Sequence, residues 1–361
     1  MGISFIGQYS VRLILGFEPM ASSSSAQALP PHIQLIQMGS AYWISRVVFD
    51  AAKLGLADQL SNGPKNAIEL AHVTRTHAPS LHRLMRTLAS LGVLTETDNQ
   101  RFALTPLGEA LKTDAPGSAQ AAILLHGSEW HSAAFQQMLH SIETGETAME
   151  KVSGLPLFDY LSKNPSDASL FNKMITGVHA GEPAAVAAGY DFSTCKTVVD
   201  VGGGTGSVLA AILAQHPGPR GVLFDSPHVV AEAPPLLKAK AVTERVAIES
   251  GNFFHAVPSG GDCYILSHIL HDWNDEQCVT ILDNCRRAMK PGGRLLIIEM
   301  VLPPGDTPHP GKILDMVMLV VVGGVERTEA EYAALLSKSG FRLNSTVPTN
   351  SAVSIVEAVL S

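Results

Sequence analysis

The sequence predicts an α/β chain: a mainly parallel sheet covered by helices on both faces, behind an N-terminal helical region with the outline of a winged helix. Three observations predict it. Five short apolar segments after residue 195 alternate with helical stretches. A glycine-rich loop follows the first of them. Ahead of residue 113, two helices run into a small hairpin.

The 361 residues suffice for two domains, at roughly 100–200 residues each. Apolar residues make up 46% and charged residues 16%, so a sizeable core is available. A disordered chain is excluded, because such chains combine low hydrophobicity with high net charge. The formal charge of −8 argues against a polyphosphate as the main partner. Cys195, Cys263, Cys278 and Cys285 make no disulfide framework and no C-x-x-C pair. They read as reduced thiols filling core space in a cytoplasmic protein, and no zinc site is signalled. The apolar run Met316–Val325 is too short to span a membrane. Residues 3–17 are mildly apolar but carry Gln8 and Arg12 and lack a basic leader, so no signal peptide is expected. Residues 1–31 are expected to be a disordered tail, of which 1–19 read as a floppy extension or an upstream-start artefact.

Residues 32–60 carry Ile33, Ile36, Ala41, Ile44, Val47, Val48, Ala51 and Leu54 near helical spacing, with Gly55 and Ser61-Asn62-Gly63-Pro64 at the end. A short helix is expected over Ala67–His72 and another from Pro79 to Gly92. Val93–Glu96 and Arg101–Thr105, around the polar turn Asp98-Asn99-Gln100, form the hairpin. Arg75, Arg83, Arg86, Arg101 and Lys112 stand against Glu69, Glu96, Asp98 and Glu109, a net of +1. A helix that enters a DNA groove normally presents a basic face. Packing or dimerisation is therefore the expected role of residues 32–118, not DNA binding. Residues 119–190 read as helices, with Trp130, Phe135, Met138, Phe158, Phe171 and Met174 as bulky apolar groups. Individually these read as core; as a set ahead of a catalytic domain they are candidates to line a substrate pocket.

From residue 191 the texture changes. Thr197–Val201, Gly221–Asp225, Val246–Ile248, Cys263–Leu266 and Arg294–Ile298 are apolar strands, the pattern of a sheet buried on both faces. Phe341–Leu343 and Val353–Val356 should close an antiparallel edge hairpin. Gly202-Gly203-Gly204-Thr205-Gly206 follows the first strand and precedes a helix, with Asp225 ending the next strand, 25 residues after Asp200. Ligands sit at the carboxyl ends of such strands, and a terminal acid there accepts bonds from ribose hydroxyls. The G-x-G-x-G spacing is not the dinucleotide G-x-G-x-x-G, and no Lys-Ser/Thr of a phosphate loop is present. S-adenosylmethionine fits: it has an adenosine to be held and no phosphates to be cradled.

Val199–Gly206, Phe224-Asp225-Ser226-Pro227-His228-Val229, Gly251-Asn252-Phe253-Phe254, His271-Asp272-Trp273, Lys290-Pro291-Gly292-Gly293 and Gly323-Gly324-Val325-Glu326-Arg327-Thr328 together carry a resemblance. Over residues 32–358 the chain resembles the class I S-adenosylmethionine-dependent O-methyltransferases of small molecules, the caffeate and acetylserotonin type. The resemblance implies a Rossmann-like sheet over 191–361 and an N-terminal all-helical winged-helix dimerisation domain whose only strands are the wing. It implies a homodimer that needs neither nucleic acid, membrane nor metal. Asp200, Gly202, Gly204, Asp225, Gly251, Asn252, Phe253 and Ser267 become the candidate cofactor residues. Two of them depart from the family: Asn252 stands where Asp is usual, and Ser267 where plant members carry Lys.

His271, just past a central strand, is the expected general base. A phenol, with a pKa of about 10, must lose its proton as the methyl moves, and an imidazole can take it. Glu299 and Glu326 occupy the family's positions for carboxylates that orient the base, and Asp272 adjoins it; the sequence leaves open which one does so. Trp130, Phe135, Met174, Asp272 and Met316 are the candidate acceptor contacts. Methyl transfer to nitrogen or carbon, a non-methylating use of the cofactor, and a winged-helix regulator sensing S-adenosylmethionine remain as rivals.

Overall fold

The computed structural model describes residues 29–113, 115 and 117–361. The expectations for the first 28 residues lie outside this range. The chain divides into two compact units: residues 29–132 with 164–178, and residues 133–163 with 179–361.

In the first unit the helix Pro31–Lys53 is followed by a separate short helix, Leu56–Leu60. The single helix expected over 32–60 is thus interrupted, because Gly55 takes a left-handed φ of +63°. The helix Ala67–Thr74 starts on a capping box. Asn66 Oδ1 accepts the Ile68 and Glu69 N–H groups, and Glu69 accepts the Asn66 N–H. Ala78–Ser90 follows, then the wing, β1 (Leu94–Thr97) antiparallel to β2 (Arg101–Leu104). Leu56, Leu70, Met85, Leu88 and Phe102 form its core, at 0–2% exposure. The apolar pattern of the first helix is not all core. Leu35, Ile36, Met38, Tyr42 and Trp43 are 62–71% exposed.

The second unit is built on a seven-stranded sheet: β3 (Thr197–Val201), β4 (Arg220–Asp225), β5 (Val246–Ser250), β6 (Cys263–Ser267), β7 (Arg294–Glu299), β10 (Phe341–Pro348) and β11 (Ser354–Leu360). Its order is β10-β11-β7-β6-β3-β4-β5. The first five strands are parallel; β11 joins β7 antiparallel and β10 closes the edge. Alternate residues feed opposite faces. Val198, Leu223, Ile265 and Ile298 enter one core, and Val199, Phe224, Leu266 and Ile297 the other. The four cysteines are free and buried. No described helix is long and apolar enough to cross a membrane.

A two-stranded parallel sheet completes the unit: β8 (Val301–Leu302) against β9 (Arg327–Thr328). It matters for position. Glu299 ends β7 just before β8, and Glu326 immediately precedes β9, so the small sheet draws two distant carboxylates to one place.

Candidate active site

The glycine loop leaves β3 beside the end of β4, since Val201 pairs with Phe224. Gly202 has φ +72°, and a Cβ there would stand 2.4 Å from Ile269 Cδ1, so only glycine lets the loop pass. Asp225 Oδ2 accepts the Gly204 N–H at 2.9 Å, and its Oδ1 accepts the Ser226 N–H at 2.6 Å. Under the loop, Asp200 is fully buried and neither of its oxygens meets a donor at hydrogen-bonding geometry. Burial, then the Asp225 charge, pushes its carboxyl up to about 7. Beyond β5, Gly251 faces the Phe224 ring, and Asn252 Oδ1 accepts the Phe254 N–H at 2.8 Å. Phe253, Phe254 and Trp273 form an edge-to-face set, the last two with centroids 4.8 Å apart. Ser267 ends β6 opposite Ile298 of β7.

His271 lies in the short turn Leu270–Asp272 past β6 and is 8% exposed. Its Nδ1 is 2.7 Å from Glu326 Oε1. In the neutral ring a carboxylate partner fixes the proton on Nδ1 and leaves the Nε2 lone pair free. The nearest carboxylate to Nε2, Asp272 Oδ1, is 3.5 Å away. Glu299 does not engage the ring: its Oε1 accepts the backbone N–H groups of Ile269 and His271, both at 3.1 Å. Its Oε2 accepts a hydrogen bond from the Tyr332 hydroxyl. From the other side, the buried Arg327 guanidinium donates to the carbonyls of Leu270 and Trp273 at 3.0 and 3.1 Å. The backbone around the imidazole is thus held by its N–H groups and by its carbonyls. Gly324 presses on the same turn. A Cβ there would fall 1.8 Å from His271 O, the oxygen that accepts the Val325 N–H at 2.8 Å.

Burial alone would lower the His271 pKa. The Glu326 hydrogen bond and the charges of Asp272, Glu299 and Glu326 outweigh it and raise it to about 10. Burial in turn pushes Asp272 up to about 6. This end of the sheet therefore carries five carboxylates against the His271 imidazolium and the Arg327 guanidinium, and Asp200 and Glu326 Oε2 lack hydrogen-bond partners. Such a surface suits a ligand bearing positive charge and N–H groups. S-adenosylmethionine, with its sulfonium and ammonium, fits it.

The candidate acceptor residues divide between the units. Phe135, Asp272 and Met316 belong to the second; Trp130 and Met174 belong to the first. Sequence reasoning missed Tyr332 and three residues near the end of β6, His179, Glu182 and His268. A tyrosine in an ordinary amphipathic helix gives no signal, and the other three are 86 residues apart or more across the β6 contact. Only the short spacing of His179 to Glu182 and of His268 to His271 hinted at anything.

Residues 135–342 match the O-methyltransferase domain, and residues 36–114 match the O-methyltransferase dimerisation domain. The chain belongs to this O-methyltransferase family. It is 45% identical to the phenazine O-methyltransferase PhzM of Lysobacter antibioticus, over 94% of this chain and 99% of that one. It is 38% identical to the mitomycin biosynthesis 6-O-methyltransferase of Streptomyces lavendulae, over 87% and 90%. The crystal structure of LaPhzM superposes with a TM-score of 0.86 over 92% of this chain and all of that one, at 45% identity. CalO1, a methyltransferase of calicheamicin biosynthesis solved with S-adenosylhomocysteine bound, gives 0.80 over 91% and 98%, at 37% identity. The protein is an S-adenosylmethionine-dependent O-methyltransferase of a small molecule.

Proposed function

We propose that the enzyme methylates a phenolic or enolic hydroxyl of a fused aromatic small molecule, with His271 as the general base. The observation that carries this reading is the His271–Glu326 pair: one ring nitrogen is tied to a buried carboxylate at 2.7 Å and the other is left as a proton acceptor. The phenazine named for the relative from Lysobacter antibioticus supports the acceptor class.

The cofactor supplies an electrophilic methyl group on sulfur. His271 Nε2 takes the acceptor's hydroxyl proton, and the freed oxygen lone pair forms the bond to the methyl carbon while the S–C pair returns to sulfur. Glu326 holds the resulting imidazolium through Nδ1–H. Glu299, braced by Tyr332, keeps the turn in place by its backbone. Asp225 and the backbone of Gly202 and Gly204 are the proposed adenosine-side contacts, with Gly251, Asn252, Phe253 and Ser267 beside them. Asp200 supplies negative charge beneath the loop. Phe135, Asp272 and Met316 are the proposed acceptor-side residues.

We propose further that the protein is a homodimer in the cytoplasm. The match to a dimerisation domain and the exposed face Leu35, Ile36, Met38, Tyr42 and Trp43 support the first point. Four unpaired thiols support the second.

The test combines substrate screening with His271→Gln. Hydroxyphenazines and simpler phenols are incubated with the enzyme and S-adenosylmethionine, and methylated product is read by mass spectrometry. On the accepted phenol His271→Gln should lose on the order of 10²–10⁴ in turnover, while S-adenosylhomocysteine affinity stays unchanged. Acceptors already ionised at assay pH should lose far less. Equal losses on ionised and neutral acceptors would mean that His271 positions the acceptor and does not deprotonate it.

A further inference from the structure

A second group of ligating side chains stands beside the base and takes no part in the scheme above. His268 is the first residue past β6 and has φ +53°, a left-handed conformation uncommon outside glycine. It brings Nε2 to 2.7 Å from Glu182 Oε2. Glu182 opens the helix Glu182–Gly189, and His179, one turn earlier, brings Nδ1 to 2.9 Å from the same oxygen. The two imidazoles lie with centroids 4.2 Å apart, and one ligand atom from each of the three residues falls within 4.8 Å of the others.

Hydrogen bonding accounts for only one of the two contacts, that of His268 Nε2 with Glu182 Oε2. Despite its short distance, His179 Nδ1 meets no acceptor at hydrogen-bonding geometry, and His268 Nδ1 has no partner either. Two imidazoles crowding one carboxylate oxygen, with Glu182 only 8% exposed, are instead the donor set that borderline divalent ions take. Two nitrogens and one carboxylate oxygen suit zinc and leave a fourth position open. Ligand atoms around a tetrahedral zinc stand roughly 3.3 Å apart; the two contacts to the carboxylate oxygen, 2.7 and 2.9 Å, are shorter than this and the three ligand atoms lie within 4.8 Å of one another, so the side chains must shift to admit an ion.

We propose that His179, Glu182 and His268 form a binding site for one divalent transition-metal ion of the zinc class. Methyl transfer has no use for the ion, and the site stands apart from the base, the His268 ring lying 5.2 Å from the His271 ring.

The full chain, stripped with chelator, is titrated with Zn²⁺ by calorimetry, and bound metal is counted by elemental analysis. One ion per chain is expected. Glu182→Gln and His179→Asn should each weaken binding by more than the roughly 10–100-fold that loss of an outer partner of a metal site costs. Co²⁺ titration of the unaltered protein needs no variant: intense visible absorption marks a four- or five-coordinate site with nitrogen ligands. Absence of stoichiometric binding, weak six-coordinate absorption, or variants that titrate like the parent would overturn the site.

Discussion

At His271, two opposing effects are set against each other. Burial favours the neutral ring, while Glu326 and its neighbouring carboxylates favour the imidazolium and hold the pKa near 10. The stabilisation this gives the fold is present below the unfolded value of about 6.5 and is lost as pH rises through about 10. A ring that must be neutral to accept a proton is thus largely charged at neutral pH before ligands arrive. The cationic cofactor should shift that balance. We expect the affinity for S-adenosylmethionine, relative to neutral S-adenosylhomocysteine, to rise between pH 7 and 9.5, because Asp200 completes its ionisation and His271 begins to lose its proton. Calorimetry with both ligands at the two pH values measures it, and a flat ratio would count against the charge cluster. Glu326→Gln removes the principal support of the imidazolium. Its turnover should be lower at the plateau, and the ascending limb of its pH–rate profile should move to lower pH.

One element, the turn Ile269–Trp273, is positioned by partners drawn from three separate segments. Glu299, itself bonded by the Tyr332 hydroxyl, accepts its N–H groups, Arg327 donates to its carbonyls, and Gly324 lies against His271 O. Tyr332→Phe leaves Glu299 Oε2 buried without its donor, a loss of about 1–3 kcal/mol of stability. Thermal unfolding would measure this, and S-adenosylhomocysteine affinity should be retained. Gly324→Ala is the harsher change. Its Cβ has no room at the 1.8 Å separation from His271 O, so Glu326 and His271 must move apart. We expect turnover to collapse while S-adenosylhomocysteine still binds, because Asp225 ends β4 and Gly202 follows β3. Near-normal turnover would show that the turn tolerates displacement.

For the whole molecule, the outward face of the helix Pro31–Lys53 is the feature to test. Five large apolar side chains more than three-fifths exposed form a patch that monomeric proteins rarely leave open. Sedimentation should give twice the 38.3 kDa chain mass. Replacing Tyr42 and Trp43 with Glu should yield monomer without unfolding the second unit, whose cores contain neither residue. A dimer that survives this change would place the interface elsewhere.

Much of this was legible in the sequence because it is local. Apolar runs buried on both faces announced β3, β4, β6 and β7, glycines announced the loop, and Asp98-Asn99-Gln100 announced the wing turn. His271, Glu299 and Glu326 could be singled out as candidates by motif. What they do to one another could not be read there. That Glu326 meets the ring while Glu299 meets only backbone depends on the pairing of β8 with β9, two residues each, too short to carry a periodic signal. That Leu35, Met38, Tyr42 and Trp43 face outward while Phe49, Ala51 and Ala52 of the same helix are buried depends on which surfaces the rest of the unit covers. His179, Glu182 and His268 were invisible as a group, since 86 residues separate Glu182 from His268. Sequence by itself determined where the strands of the main sheet and the wing lie, which loop is glycine-only and which residue types could do the chemistry, because propensity and periodicity act over a few residues. Only the tertiary structure decided which carboxylate touches the imidazole and which histidines share one oxygen, because those contacts arise from strand pairing between distant parts of the chain.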